Sequence, residues 1–150
     1  MKKILTLLFI LILISCNKQP KTQVKKEVKP ANSIAGTWKL VYGEVKENDS
    51  LTVKDVSKSD FIKIINYTHF AFFNQAHEAP GDFYGAGGTY TLKGDTYTEK
   101  LIYTDMEDYR DKSFPFTVRI TKDSLIQHGV EEIKDKNIKR YIVEKYIRIK

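Results

Sequence analysis

From residue 36 onward, apolar and polar residues alternate in short runs separated by turn residues, a pattern typical of antiparallel strands. Little of this region has the 3.6-residue period of a helix. The clearest unit is a hairpin, in which β-forming residues 89–92 and 96–99 flank a short loop that contains Gly94. The alternation predicts eight strands, at about residues 37–45, 61–65, 69–73, 89–92, 96–103, 114–121, 124–128 and 138–149.

Eight consecutive antiparallel strands predict an all-β fold, an up-and-down barrel. A β-sandwich is the structural alternative. Closure of a barrel removes the sheet edges and leaves an interior that is either packed or able to hold one small ligand. Three polar stretches interrupt the alternation. We expect residues 47–59 to be irregular, with a short helix or a lid, and residues 74–88 and 104–113 to form loops.

One face of the hairpin's return strand carries Tyr97, Glu99, Leu101 and Tyr103. Likewise, Trp38, Leu40 and Tyr42 are predicted to share a face of the first strand. If the Glu99 face points into the barrel, its carboxylate needs a partner or a wet cavity, because burying an unpaired charge is costly.

The last strand offers such partners, since Glu144, Tyr146 and Arg148 share a face and arginine can bind a carboxylate through two hydrogen bonds. Two interpretations stay open. The polar groups either hold the head group of a carboxylate or hydroxylated ligand, or form a structural ion pair and tyrosine network that closes the barrel. The candidate ligand-binding set is His69, Tyr90, Tyr97, Glu99, Tyr103, Glu144 and Tyr146.

The first 15 residues follow a different pattern. Lys2 and Lys3 precede an apolar run, residues 4–14, that only Thr6 interrupts. This is the pattern of a signal peptide. The run is shorter than the roughly 20 apolar residues that a membrane-spanning helix needs.

The signal peptide ends in Leu13, Ile14, Ser15 and Cys16. This ending resembles the lipobox of bacterial lipoproteins. The resemblance implies that the chain is cut before Cys16, that the thiol receives a diacylglyceryl group, and that the new amine receives an acyl chain such as palmitate. Two or three chains anchor a protein stably, whereas one gives marginal membrane binding.

Cys16 is the only cysteine, so it has no disulfide partner within the chain. A plain signal peptide with an incidental cysteine is the alternative interpretation. The lipobox resemblance, with Asn17 rather than aspartate after the cysteine, implies an anchor in the outer membrane, facing the periplasm. Residues 16–33 then form a lipidated cysteine and a flexible linker, which is rich in Lys, contains Pro20 and Pro30, and lacks apolar periodicity.

The formal net charge of +6 in 150 residues belongs mostly to this N-terminal region. Acidic lipid headgroups are natural partners of such a basic linker. Nucleic acid is not an expected partner, because we expect no basic run in the rest of the chain to be interleaved with exposed aromatic residues. The lysines that precede residue 33 are Lys2, Lys3, Lys18, Lys21, Lys25, Lys26 and Lys29.

Residues 34–150 resemble the lipocalin-like domains of Bacteroidetes lipoproteins whose function is unassigned. The resemblance rests on four segments, residues 36–41 (GTWKLV), 68–70 (THF), 87–99 (GGTYTLKGDTYTE) and 144–148 (EKYIR). In lipocalins, a Gly-x-Trp tryptophan plugs the closed end of the barrel and a basic residue of the last strand packs across it. The resemblance therefore implies a barrel-closing pair of Trp38 and Arg148, with Lys145 as the second candidate. Tyr146 departs from the tryptophan that those domains often carry.

No motif points to catalysis, a cofactor or a metal. A Gly-x-Ser-x-Gly nucleophile motif is absent, and the glycine-rich residues 85–88 precede a strand rather than a helix. His77, Glu78 and Asp82 lie close together but have no second histidine at ligand spacing. We therefore expect a protein that is not an enzyme and has no cofactor.

Two hypotheses about function follow. The first is a membrane-anchored module that binds a small, partly apolar ligand in the barrel interior. The second is a structural or accessory subunit of a cell-envelope complex, with a filled core and exposed aromatic residues such as Phe72, Phe83 and Tyr84 as its contact patch.

Overall fold

The computed structural model describes residues 33–78 and 81–150, so the signal peptide, Cys16 and the linker up to residue 32 lie outside the described residues. Two single-turn 3-10 helices, Glu107–Tyr109 and Lys134–Lys136, lie between strands. None of the helices in the described part of the chain is long and apolar enough to cross a membrane. The strands are β1 (Gly36–Glu47), β2 (Ser50–Val53), β3 (Ser59–Ile65), β4 (His69–Ala76), β5 (Phe83–Lys93), β6 (Thr96–Tyr103), β7 (Ser113–Thr121), β8 (Ser124–Ile133) and β9 (Ile138–Ile149).

Eight strands form a closed antiparallel barrel, which confirms the predicted all-β class. From β3 to β9 each strand pairs with the next one in sequence, and β1 pairs with both β3 and β9. The β1–β9 ladder runs from Thr37 opposite Ile149 to Glu47 opposite Arg140 and closes the barrel. The remaining strand, β2, is not part of the barrel and pairs only with the end of β1. The architecture is consistent with a lipocalin-like barrel.

Two predicted loops were wrong. Residues 74–88 were expected to form a loop, but β4 continues to Ala76 and β5 begins at Phe83, so that only about six residues connect them. The error arose because glycines 85, 87 and 88 were read as turn residues, whereas they lie inside a strand. Residues 47–59, expected to be irregular, contain the four residues of β2. The strand β8 also extends five residues beyond the predicted end.

Two β-bulges change which residues face the interior. In β1 the register slips between Leu40 and Tyr42, so Gly43 takes the buried position and Tyr42 turns outward beneath Lys145. In β6 the register slips after Leu101, which turns Tyr103 to the outside. The predictions that Tyr42 and Tyr103 continue the inner faces of their strands were therefore wrong. A bulge adds one residue to a strand and reverses its alternation.

Trp38 fills one end of the barrel and is completely buried. Its indole nitrogen donates to the Ile34 carbonyl at 2.9 Å, and the Arg148 guanidinium lies 4.0 Å from the ring centroid. Arg148 also donates to the carbonyls of Ser33 and Ala35, each at 2.8 Å. The guanidinium occupies the space that a Cβ at position 36 would need, which favours glycine at this position. The Trp38 indole nitrogen and the Arg148 guanidinium thus both donate to backbone carbonyls at this end.

Candidate functional site

A buried lysine lies at the centre of the barrel. Lys63 is 2% exposed, and its Nζ donates to Glu99 Oε1 at 2.8 Å and to Gln127 Oε1 at 3.0 Å. A second carboxylate oxygen, Glu144 Oε2, lies 3.8 Å from the same Nζ. The ammonium also lies between 5.4 and 6.0 Å from the ring centroids of Phe70, Tyr97 and Tyr146.

Strand alternation explains why this lysine is inside. In β3, Phe61, Lys63 and Ile65 are the buried positions, while residues between them face outward or are half-buried. A lysine is almost never fully buried unless it is paired. Here two carboxylates outweigh the cost of desolvation, so the pKa of Lys63 is raised and the ammonium stays charged. Lys63 and its hydrogen-bond partner Gln127 are residues that the sequence analysis missed, as are Glu131 and Arg140.

For Glu99, the carboxylate that pairs with Lys63, burial has a larger effect on the pKa than the ion pair has. Desolvation raises the pKa of Glu99 above its ordinary value, although Lys63 opposes this shift by direct ion pairing. The Glu144 carboxylate accepts a hydrogen bond from the Tyr146 hydroxyl at 2.6 Å and is 20% exposed. Burial, followed by the neighbouring Glu144 carboxylate, raises the pKa of Tyr146, so Tyr146 acts as a donor.

Tyr97 is buried beside this cluster without a hydrogen bond of good geometry. Its side chain is inaccessible to solvent, and its hydroxyl is the one buried side-chain polar atom without a partner among residues 33–78 and 81–150. Burial, together with the nearby Glu99 carboxylate, raises the pKa of this phenol. A buried hydroxyl without a partner is unusual, because its desolvation is not compensated.

A cavity of about 430 Å³ opens above Lys63, on the side of the barrel away from Trp38. A second ion pair lies in its wall, where Glu131 Oε2 and Arg140 Nε face each other across β8 and β9 at 2.7 Å. Lys54 lies at its rim, with Nζ 3.0 Å from the Tyr84 hydroxyl. The polar floor is formed by Lys63, Glu99, Gln127 and Glu144, and the apolar wall includes Leu40, Phe61, Phe72, Phe116 and Ile142.

The structure brings four of the seven predicted site residues together at the centre of the barrel: Tyr97, Glu99, Glu144 and Tyr146. Tyr90 lies next to them, with its ring 5.0 Å from that of Tyr97, but its hydroxyl donates to the Asn66 carbonyl.

The other two predicted site residues are outside, so the prediction that they line the interior was wrong. His69 is exposed at the start of β4, where its Nδ1 lies 2.8 Å from the Thr68 hydroxyl. Tyr103 is 64% exposed because of the bulge that follows Leu101. Both lie beside an open outer groove of about 810 Å³ across β4 and β5, whose floor contains Gly85 and Gly87.

The aromatic residues named for a contact patch are divided between two places. Phe83 and Tyr84 are exposed near this outer groove. Phe72 instead packs inside, 5.3 Å from the Phe61 ring centroid and 6.5 Å from that of Phe70.

The structure also assigns contacts to the remaining candidates. Arg148 contacts Trp38, two backbone carbonyls and, at 3.8 Å, the Asp123 carboxylate, but not Glu99. Lys145 lies 4.6 Å from the Tyr42 ring on the outer face. His77 contacts the Ser57 carbonyl at 3.1 Å and Asp60 at 3.3 Å. Within residues 33–78 and 81–150, no group of three metal-ligating side chains is found.

A family model described as a domain of unknown function, DUF4488, matches residues 33–150. The match covers the whole barrel. The chain belongs to this family. The comparison with curated proteins and the comparison with solved structures found no match. The function of this DUF4488 barrel is therefore inferred from its own cavity and side-chain contacts.

Proposed function

We propose that the protein is a lipid-anchored module of the bacterial cell envelope that binds a small, partly apolar molecule inside its barrel. The observation that carries the binding proposal is the 430 Å³ cavity, which combines an aromatic and aliphatic wall with a floor of charged groups. Ligand pockets commonly have about 300–1,000 Å³ and a mostly apolar lining with a few placed polar groups. The interior therefore has the size and chemistry of a binding site.

Binding is tested with the chain from residue 17 to 150, which contains every strand of the closed barrel. We expect an organic extract of the purified protein to contain a discrete small molecule by mass spectrometry, and the emptied protein to bind a hydrophobic fluorophore. Val45→Trp, in the cavity lining, should abolish fluorophore binding. Val130→Trp is the matched control, because Val130 is exposed on β8. No extracted molecule and no fluorophore binding would refute the proposal.

The anchor is proposed from the sequence of residues 1–16, in which an apolar run ends in Ser15 and Cys16. We expect cells fed an alkyne analogue of palmitate to label the full-length protein. Cys16→Ala should abolish the label and leave a longer, unprocessed chain, whereas Asn17→Ala should keep it. A labelled Cys16→Ala chain would contradict the anchor without affecting the binding proposal. Membrane fractionation then tests the outer-membrane location.

A second function, an accessory subunit of an envelope complex, is favoured by the outer groove and its exposed Phe83 and Tyr103. Exposed apolar patches of this kind mark protein contacts. A photo-crosslinking amino acid at position 103 should then capture a specific protein in the envelope. The same amino acid at the exposed residue Thr117 of β7 is the control. Equal capture at both positions would count against this function.

A further inference from the structure

The charges around the cavity do not balance. Two of its cations have a direct partner: Lys63 pairs with Glu99 at 2.8 Å, and Arg140 pairs with Glu131 at 2.7 Å. Glu144 is the fifth charged group, and its nearest cation is the already paired Lys63 at 3.8 Å. With all five groups ionised, the interior carries one negative charge more than it carries positive charges.

The remaining charges at the rim do not remove this excess. Lys54 and Glu44 both line the cavity and have opposite signs. The Lys54 ammonium contacts the Tyr84 hydroxyl and lies 4.8 Å from the Phe61 ring centroid. Glu44 accepts a hydrogen bond from the Tyr42 hydroxyl. Neither group compensates Glu144.

Glu144 is also the most exposed of the three interior carboxylates. Its side chain is 20% exposed, compared with 6% for Glu99 and 14% for Glu131. The Tyr146 hydroxyl occupies Oε2. A ligand that enters the cavity therefore meets a carboxylate that is partly desolvated and only distantly paired, a position where a positive charge is stabilised strongly.

A second observation shows that the polar cluster is incomplete as it stands. The buried Tyr97 hydroxyl lies near Glu99, whose carboxylate helps to raise its pKa, but it makes no hydrogen bond of good geometry with any described residue. Native interiors leave few such groups unsatisfied. A ligand whose charge attracts the neighbouring carboxylates, or a water held with that ligand, would let this network rearrange and satisfy the phenol.

We propose that the cavity binds a cation with an apolar body, a primary or secondary amine whose ammonium group pairs with Glu144 while its hydrocarbon part contacts the Phe61, Phe72 and Phe116 side of the wall. This inference rests on the proposed binding function and specifies its ligand class. A carboxylate ligand would instead face Glu144 and Glu131, because the interior cations are already paired. Allowing about 30 Å³ for each water-sized group, the cavity has room for roughly 14 non-hydrogen atoms.

The test compares three ligands with the same body and different head groups: phenylbutylamine, phenylbutanol and phenylbutyrate. Each is titrated calorimetrically at pH 7 into the emptied chain of residues 17–150. We expect the amine to bind at least about tenfold more tightly than the alcohol, which corresponds to one well-placed charge interaction. The acid should bind most weakly.

Glu144→Gln identifies the carboxylate responsible, because glutamine keeps the shape and an acceptor for Tyr146 but removes the charge. The amine should lose about tenfold in affinity and the alcohol should be unaffected. Glu132→Gln is the matched control, since Glu132 is on the same pair of strands but pairs with Lys139 at 3.5 Å on the outside. Circular dichroism establishes that both variants are folded.

The outcomes separate the inference from the proposed function. If the alcohol or the acid binds as well as the amine, or if Glu144→Gln leaves the amine affinity unchanged, the cationic ligand class is refuted and the binding function stands. If none of the three ligands binds and the fluorophore also fails, the binding function itself is refuted. Amine preference that is lost only in Glu144→Gln supports the inference.

Discussion

The two halves of the barrel interior stabilise their charged side chains in opposite ways. At the closed end, Arg148 donates to two backbone carbonyls and lies over the Trp38 indole ring, with the exposed Asp123 carboxylate 3.8 Å from its Nε. In the middle and open half, Lys63, Glu99 and Glu144 compensate one another through side chains alone. Backbone carbonyls are fixed by the fold, whereas side-chain charges can exchange partners. The closed end is therefore built as a plug, whereas the charge pairing of the open half depends on side-chain conformation.

Removing the central cation, Lys63, should have the largest effect on stability. Lys63→Met leaves Glu99 and Glu144 buried together without a cation, and breaking a buried pair in this way costs about 3–5 kcal/mol. We expect a loss of this size in the free energy of unfolding, measured by urea denaturation at pH 7. Lys39→Met is the control, because the Lys39–Asp60 pair is close to half exposed and a surface pair contributes less than about 1 kcal/mol. Equal losses in both variants would contradict the structure.

The same variant should show a characteristic pH dependence. The pKa of Glu99 is raised in the folded protein, so the folded state holds this proton more tightly than the unfolded chain does. The contribution of Glu99 to stability therefore falls as the pH rises from the unfolded value through the folded pKa. Without Lys63 the pKa should rise further. We expect the difference between wild type and Lys63→Met to shrink on acidification from pH 7 to pH 5.

The sequence predicted the barrel but not its central ion. The class, the eight strands of the barrel, the hairpin around Gly94 and the last strand, Ile138–Ile149, followed from alternation and turn residues. The same alternation placed Glu99 on an inner face and demanded a partner for it. Lys63 was overlooked although it lies between Phe61 and Ile65 on one face of β3, because a lone lysine in a strand is normally a solvent-facing residue.

Two features could not be read from the sequence at all. The bulges after Leu40 and Leu101 carry no distinctive residue on their own strand, yet each reverses the alternation and turns Tyr42 and Tyr103 outward. The glycine that permits the second bulge is on the neighbouring strand, where a Cβ at Gly88 would collide with the Lys100 carbonyl. A close approach between strands depends on register, which periodicity along one strand does not contain.

A substitution in the plug should lower the free energy of unfolding by less than the substitution of Lys63 does. Arg148→Met removes two hydrogen bonds from a charged donor to backbone carbonyls, and such bonds contribute about 1.5–3 kcal/mol. We expect a net loss of about 2 kcal/mol, within this range. Trp38 is the only tryptophan, so its fluorescence should shift in this variant and not in Arg119→Met, which changes an exposed residue of β7. An unchanged emission spectrum would contradict the stacking.

The smallest effect on stability is expected for the hydroxyl groups of Tyr97 and Tyr146, two buried tyrosines with different hydroxyl contacts. Tyr146 donates to Glu144 at 2.6 Å, whereas the Tyr97 hydroxyl is buried without a partner. Tyr146→Phe should therefore cost about 1.5 kcal/mol or more, and Tyr97→Phe should be neutral or slightly stabilising in urea denaturation, because removing an unsatisfied buried hydroxyl removes its desolvation penalty. If a bound cation draws Tyr97 into the network, Tyr97→Phe should instead weaken phenylbutylamine binding. A costly Tyr97→Phe substitution in the emptied protein would mean that Glu99 already satisfies this phenol, and the open half would then be as complete as the plug.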